Sequence, residues 1–565
     1  MKMLSSKYVR SAFCCFLLFI LNLLAQEGNV VKASKNGIVG SAHPLASAAG
    51  LEMLKKKGNA VDAAVATGFA LSVVEQYSSG LGGGSLILIR VGETGQVIAI
   101  DGRETAPIAA KRDMYVQDGS VQPDLSLTGI LAGGVPGTVK ALTLALSKYG
   151  TLPLAVVLAP AIRYAEQGFE LTQRHVNAIS GRREKLSQFA ESARIYLPNG
   201  RVPAVGSLFR QPDLARTLKL IATEGVDVFY RGEVAQRMVA FMEKHGGLIT
   251  LQDLEIYEAK ERQVIHGIYR GYDIFSMPPP SSGGIHVVQI LNILEAYDLS
   301  QLEPNSTEFV HLLAEAMKLA FADRAHFLGD SDFVAVPIKG LISKSYAKER
   351  RELIQPDQAI MLESYGNPMP VESDHTTHFS VLDQDGNAVS ITQTVNTGFG
   401  SGMVVEGTGI ILNNEMDDFS AQPGMPNVYG LVGTEANAIG PKKRPLSSMS
   451  PTIITKDDQP FMVIGSPGGP RIITTVVQVI INVIDFGMEI QAAIDAPRLH
   501  HQWKPDRLRL EKTFATDIEK LSALGHQVNQ NGTWSAAHGI VFDAETGKMY
   551  GGADYRIVDG TVLGW

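Results

Sequence analysis

The densest run of reactive side chains is Asp374-His375-Thr376-Thr377-His378-Phe379-Ser380, and three chemistries fit it. His375 and His378 stand three apart with Asp374 adjacent, which suggests a metal site. On a strand those histidines point to opposite faces, and no further ligand lies nearby. A polar strand start is the plainest alternative. The third is nucleophilic chemistry at Thr376. A threonine hydroxyl is a weak nucleophile without a base beside it. Cutting the chain before Thr376 would create that base, an α-amino group whose ordinary pKa is about 7.7–8.0.

Other segments carry complementary groups. Arg103, in Asp101-Gly102-Arg103-Glu104, can clamp a carboxylate through two hydrogen bonds, or simply pair with Glu104 at the surface. Asn413-Asn414-Glu415-Met416-Asp417-Asp418-Phe419 gathers acceptors suited to an ammonium group, and equally to a solvated or calcium-binding loop. Ser447 and Ser448 offer hydroxyl donors within Arg444–Pro451, where a polar turn is the alternative. Gly465-Ser466-Pro467-Gly468-Gly469 follows a strand-like Phe461–Ile464 and precedes Pro470, which opens a helix; backbone N–H groups there can stabilise an oxyanion, although Gly-Gly is often only a tight turn. Gly465-Ser466-Pro467-Gly468 is not a Gly-x-Ser-x-Gly elbow, and Gly82–Gly84 lacks the Gly-Lys-Ser/Thr of a phosphate loop.

The elements that must position these groups are legible in outline. His378–Asp383 and Ala388–Asn396 flank Gln384-Asp385-Gly386-Asn387, a β-hairpin pattern. A two-residue Asp-Gly turn sets Thr376 opposite Val395. For Thr394 and Asn396 to share a face with Thr376, the register must slip by one. Ser85–Val91 and Gln96–Asp101 form a second hairpin that ends at Arg103. Pro44–Lys57 and Ala60–Val74 read as helices, the latter capped by Asn59; 135–330 is mostly helical in period, with a long helix from Ser306 to Phe327, and Thr474–Gly487 reads as a buried helix. Ala421–Gly433, rich in Pro and Gly around Tyr429, resembles a surface loop able to cover a pocket. Helices feeding a strand-rich C-terminal half predict a layered α/β architecture with antiparallel sheet.

Composition narrows the function. The 565 residues are 45% hydrophobic and 19% charged, as in a globular protein with a large core. Lys2, Lys7 and Arg10 precede an apolar run from Ala12 to Leu24, the pattern of a secretory signal cut after Ala25. Both cysteines, Cys14 and Cys15, would leave with it, excluding thiol nucleophiles, disulfides and thiolate metal sites. Removing three basic residues takes the net charge from −8 to −11, a poor balance for nucleic-acid binding.

In this order the segments resemble the γ-glutamyltranspeptidases, members of the N-terminal-nucleophile hydrolases. The resemblance rests on Gly58–Ala64, Gly80–Gly84, Pro279–Gly284, Thr376–Ser380, Asn413–Phe419, Arg444–Pro451 and Gly465–Gly469, and spans nearly all of the mature chain. It implies an αββα sandwich and a precursor that cuts itself before Thr376. A signal peptide (1–25), a large subunit (26–375) and a small subunit (376–565) would result, the two subunits intertwined as a heterodimer in one domain. The resemblance makes Thr376 the nucleophile and Thr394 its support. Arg103, Ser447 and Ser448 would bind the substrate α-carboxylate; Asn396, Glu415 and Asp418 the α-ammonium; Gly468 and Gly469 the oxyanion. The implied substrates are glutathione and other γ-glutamyl compounds, with water, amino acids or dipeptides as acceptors. No metal or organic cofactor, nucleic-acid partner or stable membrane anchor is implied, and the protein would be periplasmic or secreted. Glu415 stands where some relatives have glutamine, and Ala553-Asp554-Tyr555-Arg556 where Asp-Pro-Arg is expected. A β-lactam acylase and an exported γ-glutamyl-peptide binding protein without chemistry are the alternatives.

Overall fold

A computed structural model describes residues 33–368 and 378–565. Its centre is two seven-stranded antiparallel sheets. The first runs, edge to edge, β14 (Thr561–Gly564), β2 (Gly37–Ser41), β8 (Phe379–Asp383), β9 (Ala388–Thr394), β3 (Gly84–Arg90), β4 (Val97–Gly102) and β5 (Lys260–Arg262). The second runs β1 (Ala33–Ser34), β13 (Lys548–Ala553), β12 (His538–Asp543), β11 (Gln459–Gly465), β10 (Thr452–Lys456), β7 (Tyr272–Ser276) and β6 (Ile265–Tyr269).

Side-chain parity makes the layers. Successive strand residues face opposite ways, so Leu86 and Leu88 join Ile38, Leu382, Ile453, Val463 and Ile540 between the sheets. Their neighbours Ile87 and Ile89 turn outward with Val381, Val389 and Ile391 to meet α1 (Pro44–Lys55), α2 (Ala60–Val74), α3 (Thr138–Tyr149) and α4 (Leu154–Gln167). Across the sandwich, Ile454, Met462 and Ile464 turn outward to α6 (Gly283–Leu294), α7 (Thr307–Phe327) and α8 (Arg471–Ile484). The result is an αββα stack, as the resemblance implied.

Every residue of α2 is buried, which is why its sequence is apolar all round rather than striped. Its start is fixed by a capping box: the Asn59 side chain accepts from Val61 N and Asp62 N, and Asp62 accepts from Asn59 N. Two sequence expectations are corrected. The stretch 260–276 is strand, not helix, because β5, β6 and β7 extend both sheets there. The β8–β9 hairpin closes through three residues, not two, with Phe379 opposite Ile391 and Leu382 opposite Ala388. Gly386 takes φ +77°. The Asp383 carboxylate accepts from Asp385 N (3.0 Å), Asn387 N (2.9 Å) and Ala60 N (2.8 Å), holding the wider turn against the start of α2.

Candidate active site

Thr394, the last residue of β9, pairs with Gly84 at the start of β3. Its Oγ1 accepts from Asn396 N at 2.7 Å. That bond turns the chain into a left-handed residue, Asn396 at φ +71°, which asparagine tolerates better than most side chains. Asn396 Nδ2 donates to Asn414 O (2.9 Å), and its Oδ1 accepts from Tyr429 Oη (2.7 Å). Thr394, Asn396 and Tyr429 therefore form one bonded series from the sheet end to the Ala421–Gly433 loop.

The run Gly82-Gly83-Gly84 exists for backbone contact. A Cβ on Gly82 would stand 2.1 Å from Ile411 O, on Gly83 1.9 Å from Thr394 O, and on Gly84 2.2 Å from the Glu104 carboxylate. Asn413 stitches this run in place: its Nδ2 donates to Gly82 O and Gly134 O, and its Oδ1 accepts from Gly134 N and Glu415 N.

Glu415–Asp418 forms a single 3-10 turn that aims two carboxylates at Arg103. Arg103 leaves the end of β4 with its carbonyl held by Tyr257 Oη (2.8 Å) and Arg444 Nη1 (2.9 Å). Its guanidinium bonds Glu415 through Nη1, Asp418 through Nη2 (2.7 Å) and Pro445 O through Nε (3.2 Å), with Glu104 3.6 Å from Nη1. Arg103 and Glu104 are both fully buried, so the surface ion pair considered for them does not occur.

Three carboxylates thus share one guanidinium, and they cannot all ionise cheaply. Burial pushes Glu104 up to about 7 and Asp418 up to about 6, with Arg103 opposing both. Burial also raises Glu415 well above the usual carboxylate range, Arg103 again opposing. Burial alone would lower Arg103, but Glu415, Glu104 and Asp418 outweigh it and hold the guanidinium charged. Both Glu104 oxygens and Glu415 Oε2 lack a hydrogen-bond partner among the described residues.

These groups border a cavity of about 570 Å³. Of the residues singled out by sequence, Thr394, Asn396, Glu415, Asp418, Ser448, Gly468 and Gly469 line it. Arg103 and Ser447 do not: Arg103 is buried against Glu415 and Asp418, and the Ser447 carbonyl accepts from Ser282 Oγ and Arg324 Nη2. Thr376 lies outside the described residues, as do Asp374 and His375. His378 is buried, bonded to Ser380 Oγ at 2.6 Å, with its ring against Gly465, where a Cβ would clash at 2.4 Å.

Gly468 and Gly469 adopt φ +130° and +58°, conformations that favour glycine. A Cβ on Gly469 would meet the Tyr429 ring at 2.8 Å, so the loop's tyrosine rests on this turn.

Sequence reasoning missed the remaining wall. The helix α5 (Gln173–Gly181) presents Arg174, Asn177, Ala178 and Gly181 to the cavity, followed by Arg182. Spacing of three, four and seven marks one helix face and was the available signal. Arg324, in the last turn of α7, also lines the cavity and donates to Ser282 Oγ.

An αββα stack with a cavity at the end of β9 is the architecture of the N-terminal-nucleophile hydrolases. The solved cephalosporin acylase of Bacillus halodurans shares it with a TM-score of 0.84 at 34% identity, over 95% of this chain and 97% of that one. A chain of the solved Helicobacter pylori γ-glutamyltranspeptidase is 44% identical, with a TM-score of 0.56; the match spans 57% of this chain and 92% of that one. The family model described as gamma-glutamyltranspeptidase matches residues 46–564. The glutathione hydrolase proenzyme of Escherichia coli (strain K12) is 48% identical over 537 residues, 94% of this chain and 92% of the relative. The chain belongs to the γ-glutamyltranspeptidase family, and so to a family of hydrolases and transferases with acylases among its neighbours. Among the described residues no helix is long and apolar enough to cross a membrane.

Proposed function

We propose that the protein is a γ-glutamyltransferase and glutathione hydrolase made as an exported precursor. Water adds across the His375–Thr376 peptide bond in a self-cleavage, leaving a large subunit (26–375), a small subunit (376–565) and a free α-amino group on Thr376. That amine takes the Thr376 hydroxyl proton as Oγ attacks the γ-carbonyl of glutathione or a related compound. The Gly468 and Gly469 turn supplies donors to the oxyanion. The amine product leaves with the proton, and water or an amino acid or dipeptide accepts the γ-glutamyl group from Oγ. Thr394 supports the nucleophile; Arg103, Ser447 and Ser448 take the α-carboxylate; Asn396, Glu415 and Asp418 take the ammonium.

The observation that carries this reading is convergence. Residues drawn from four separated segments (Thr394 and Asn396, Glu415 and Asp418, Ser448, Gly468 and Gly469) border one cavity. Glu415 and Asp418 offer acceptors to an ammonium, and Arg103, behind them, holds the charge that answers a carboxylate. The structural likeness to a cephalosporin acylase makes a β-lactam acylase, which hydrolyses the acyl side chain, the second reading. The Arg103, Glu415 and Asp418 cluster favours an α-amino-acid head group over a plain dicarboxylate side chain.

A denaturing gel tests the mechanism. Cutting gives fragments of about 38 and about 20 kDa, in proportion to 350 and 190 of the 565 residues of a 60.9 kDa chain. The smaller begins at Thr376. A single band, or cutting that persists in Thr376→Ala, overturns it. Release of the side chain from a cephalosporin, with none from a γ-glutamyl anilide, would select the acylase.

A further inference from the structure

The cavity holds a cation that the head group does not use. Arg174 is committed: it pairs with Glu75 at 2.5 Å and donates to Ala42 O. Arg183 is turned away to Gly200 O. Arg182, between α5 and the next turn, is exposed on the cavity wall, and among the described residues it forms no ion pair with a carboxylate. Its Nε would stand 3.2 Å from a Cβ on Gly398, so the side chain lies along the backbone of the loop that follows Asn396. A cation at a helix C-terminus is favourable in itself, but that role does not require a glycine opposite or a place in the cavity.

We infer that Arg182 forms an acceptor and leaving-group subsite for the carboxylate of an amino acid or short peptide. This rests on the γ-glutamyl transfer reading. The γ-glutamyl head group brings one carboxylate and one ammonium, both already assigned to Arg103, Asn396 and the Glu415–Asp418 and Ser447–Ser448 segments. An amine partner carrying its own carboxylate brings a second anion; of the cavity's guanidiniums, Arg174 is held by Glu75 and Arg324 by Ser282 Oγ and the Ser447 carbonyl, which leaves Arg182 to meet it. In the transfer step the acceptor nitrogen bonds the γ-carbonyl carbon as the bond to Thr376 Oγ breaks. The proton lost by the amine returns to Oγ through the α-amino group. Arg182 takes no part in the bond changes; it positions the acceptor.

The test uses the purified, cleaved enzyme with γ-glutamyl-p-nitroanilide as donor and compares glycylglycine with glycylglycinamide as acceptor. The wild type shows a KM for glycylglycine about five-fold below that for the amide, about 1 kcal/mol at 1.4 kcal/mol per ten-fold and within the range of an exposed ion pair. Arg182→Ala brings the two KM values together, and Arg182→Lys restores part of the difference. The change falls on acceptor KM more than on transfer kcat, which a purely structural loss would not do. No discrimination in the wild type, or full discrimination in Arg182→Ala, overturns the subsite alone. A cleaved wild type that releases no nitroaniline overturns the transfer reading, and the subsite with it.

Discussion

Replacing Arg103 by methionine, which keeps most of the volume and removes the charge, gives the sharpest test of the buried charge cluster. With Arg103 in place, Asp418 ionises near 6 and Glu104 near 7. At about 1.4 kcal/mol per pH unit, ionisation of these two carboxyls spares the folded wild type a few kcal/mol between those values and pH 8, relative to carboxyls that stay protonated. In Arg103→Met the opposing guanidinium is gone, and both groups stay protonated up to pH 8. The sign follows from the unfolded chain, whose carboxyls ionise near pH 4 in either protein. Both proteins lose stability as pH rises above that, because a raised folded pKa leaves the native state holding protons that the unfolded state has released. The wild type stops losing at about pH 6 and 7, whereas the variant continues. Arg103→Met is therefore close to neutral at pH 5 and destabilised by up to about 4 kcal/mol at pH 8, comparable to breaking a buried ion pair. Thermal melting of the two proteins at pH 5, 6, 7 and 8 measures this. A melting difference that is the same at pH 5 and pH 8 refutes the reasoning.

The same carboxyls govern donor binding, since a neutral acid does not balance an ammonium charge. Donor KM is expected to fall as pH rises through 6 and 7, and Glu415→Gln, which removes a neighbouring buried carboxyl, shifts that fall to lower pH; a KM flat between pH 5 and 8 argues against an ammonium site there. Tyr429→Phe removes the hydroxyl that bonds Asn396 Oδ1 (2.7 Å) and O (3.1 Å). At about 0.5–1.5 kcal/mol for such a bond, donor KM rises about two- to ten-fold, and an unchanged KM means that the 421–433 loop does not close the site.

What the sequence made legible follows from how local each cause is. The capped α2 and both hairpins are set by neighbours a few residues apart, so their existence is readable from periodicity and turn residues. The width of the β8–β9 turn is not, because Asp383 chooses it by bonding both the turn and Ala60 N, 323 residues away in sequence. Within 260–276, β5 pairs with β4 and β7 with β10, partners distant in the chain, whereas β6 and β7 form a local hairpin across Arg270-Gly271 that the helical reading overlooked. The wall from α5 escaped because Arg174 and Asn177 carry no motif, only a helical spacing shared by many surface helices. Arg103 was visible as a candidate clamp, but its burial was not, since that depends on Glu415 and Asp418 more than 300 residues downstream.

Those long-range pairings bear on how the proposed site would work. A lone buried guanidinium or a lone buried carboxylate is costly, and a cavity built to hold a zwitterion needs both. Arg103, behind the cavity wall, is paired with Glu415 and Asp418 before any ligand arrives. On the proposed reading, an entering α-amino acid adds its ammonium to the carboxylates and its carboxylate to the Arg103 side, so the cluster exchanges partners without net charge being buried. Where the surplus carboxyls still hold protons, the entering ammonium displaces them. Donor binding would then release protons most strongly between pH 6 and 7, where Asp418 and Glu104 titrate. A dicarboxylate side chain without the ammonium brings no cation for Glu415 and Asp418 to hold, so its carboxylate would have to draw Arg103 away from them uncompensated. On the proposed reading, the charge cluster would therefore favour an α-amino-acid donor over a dicarboxylate side chain.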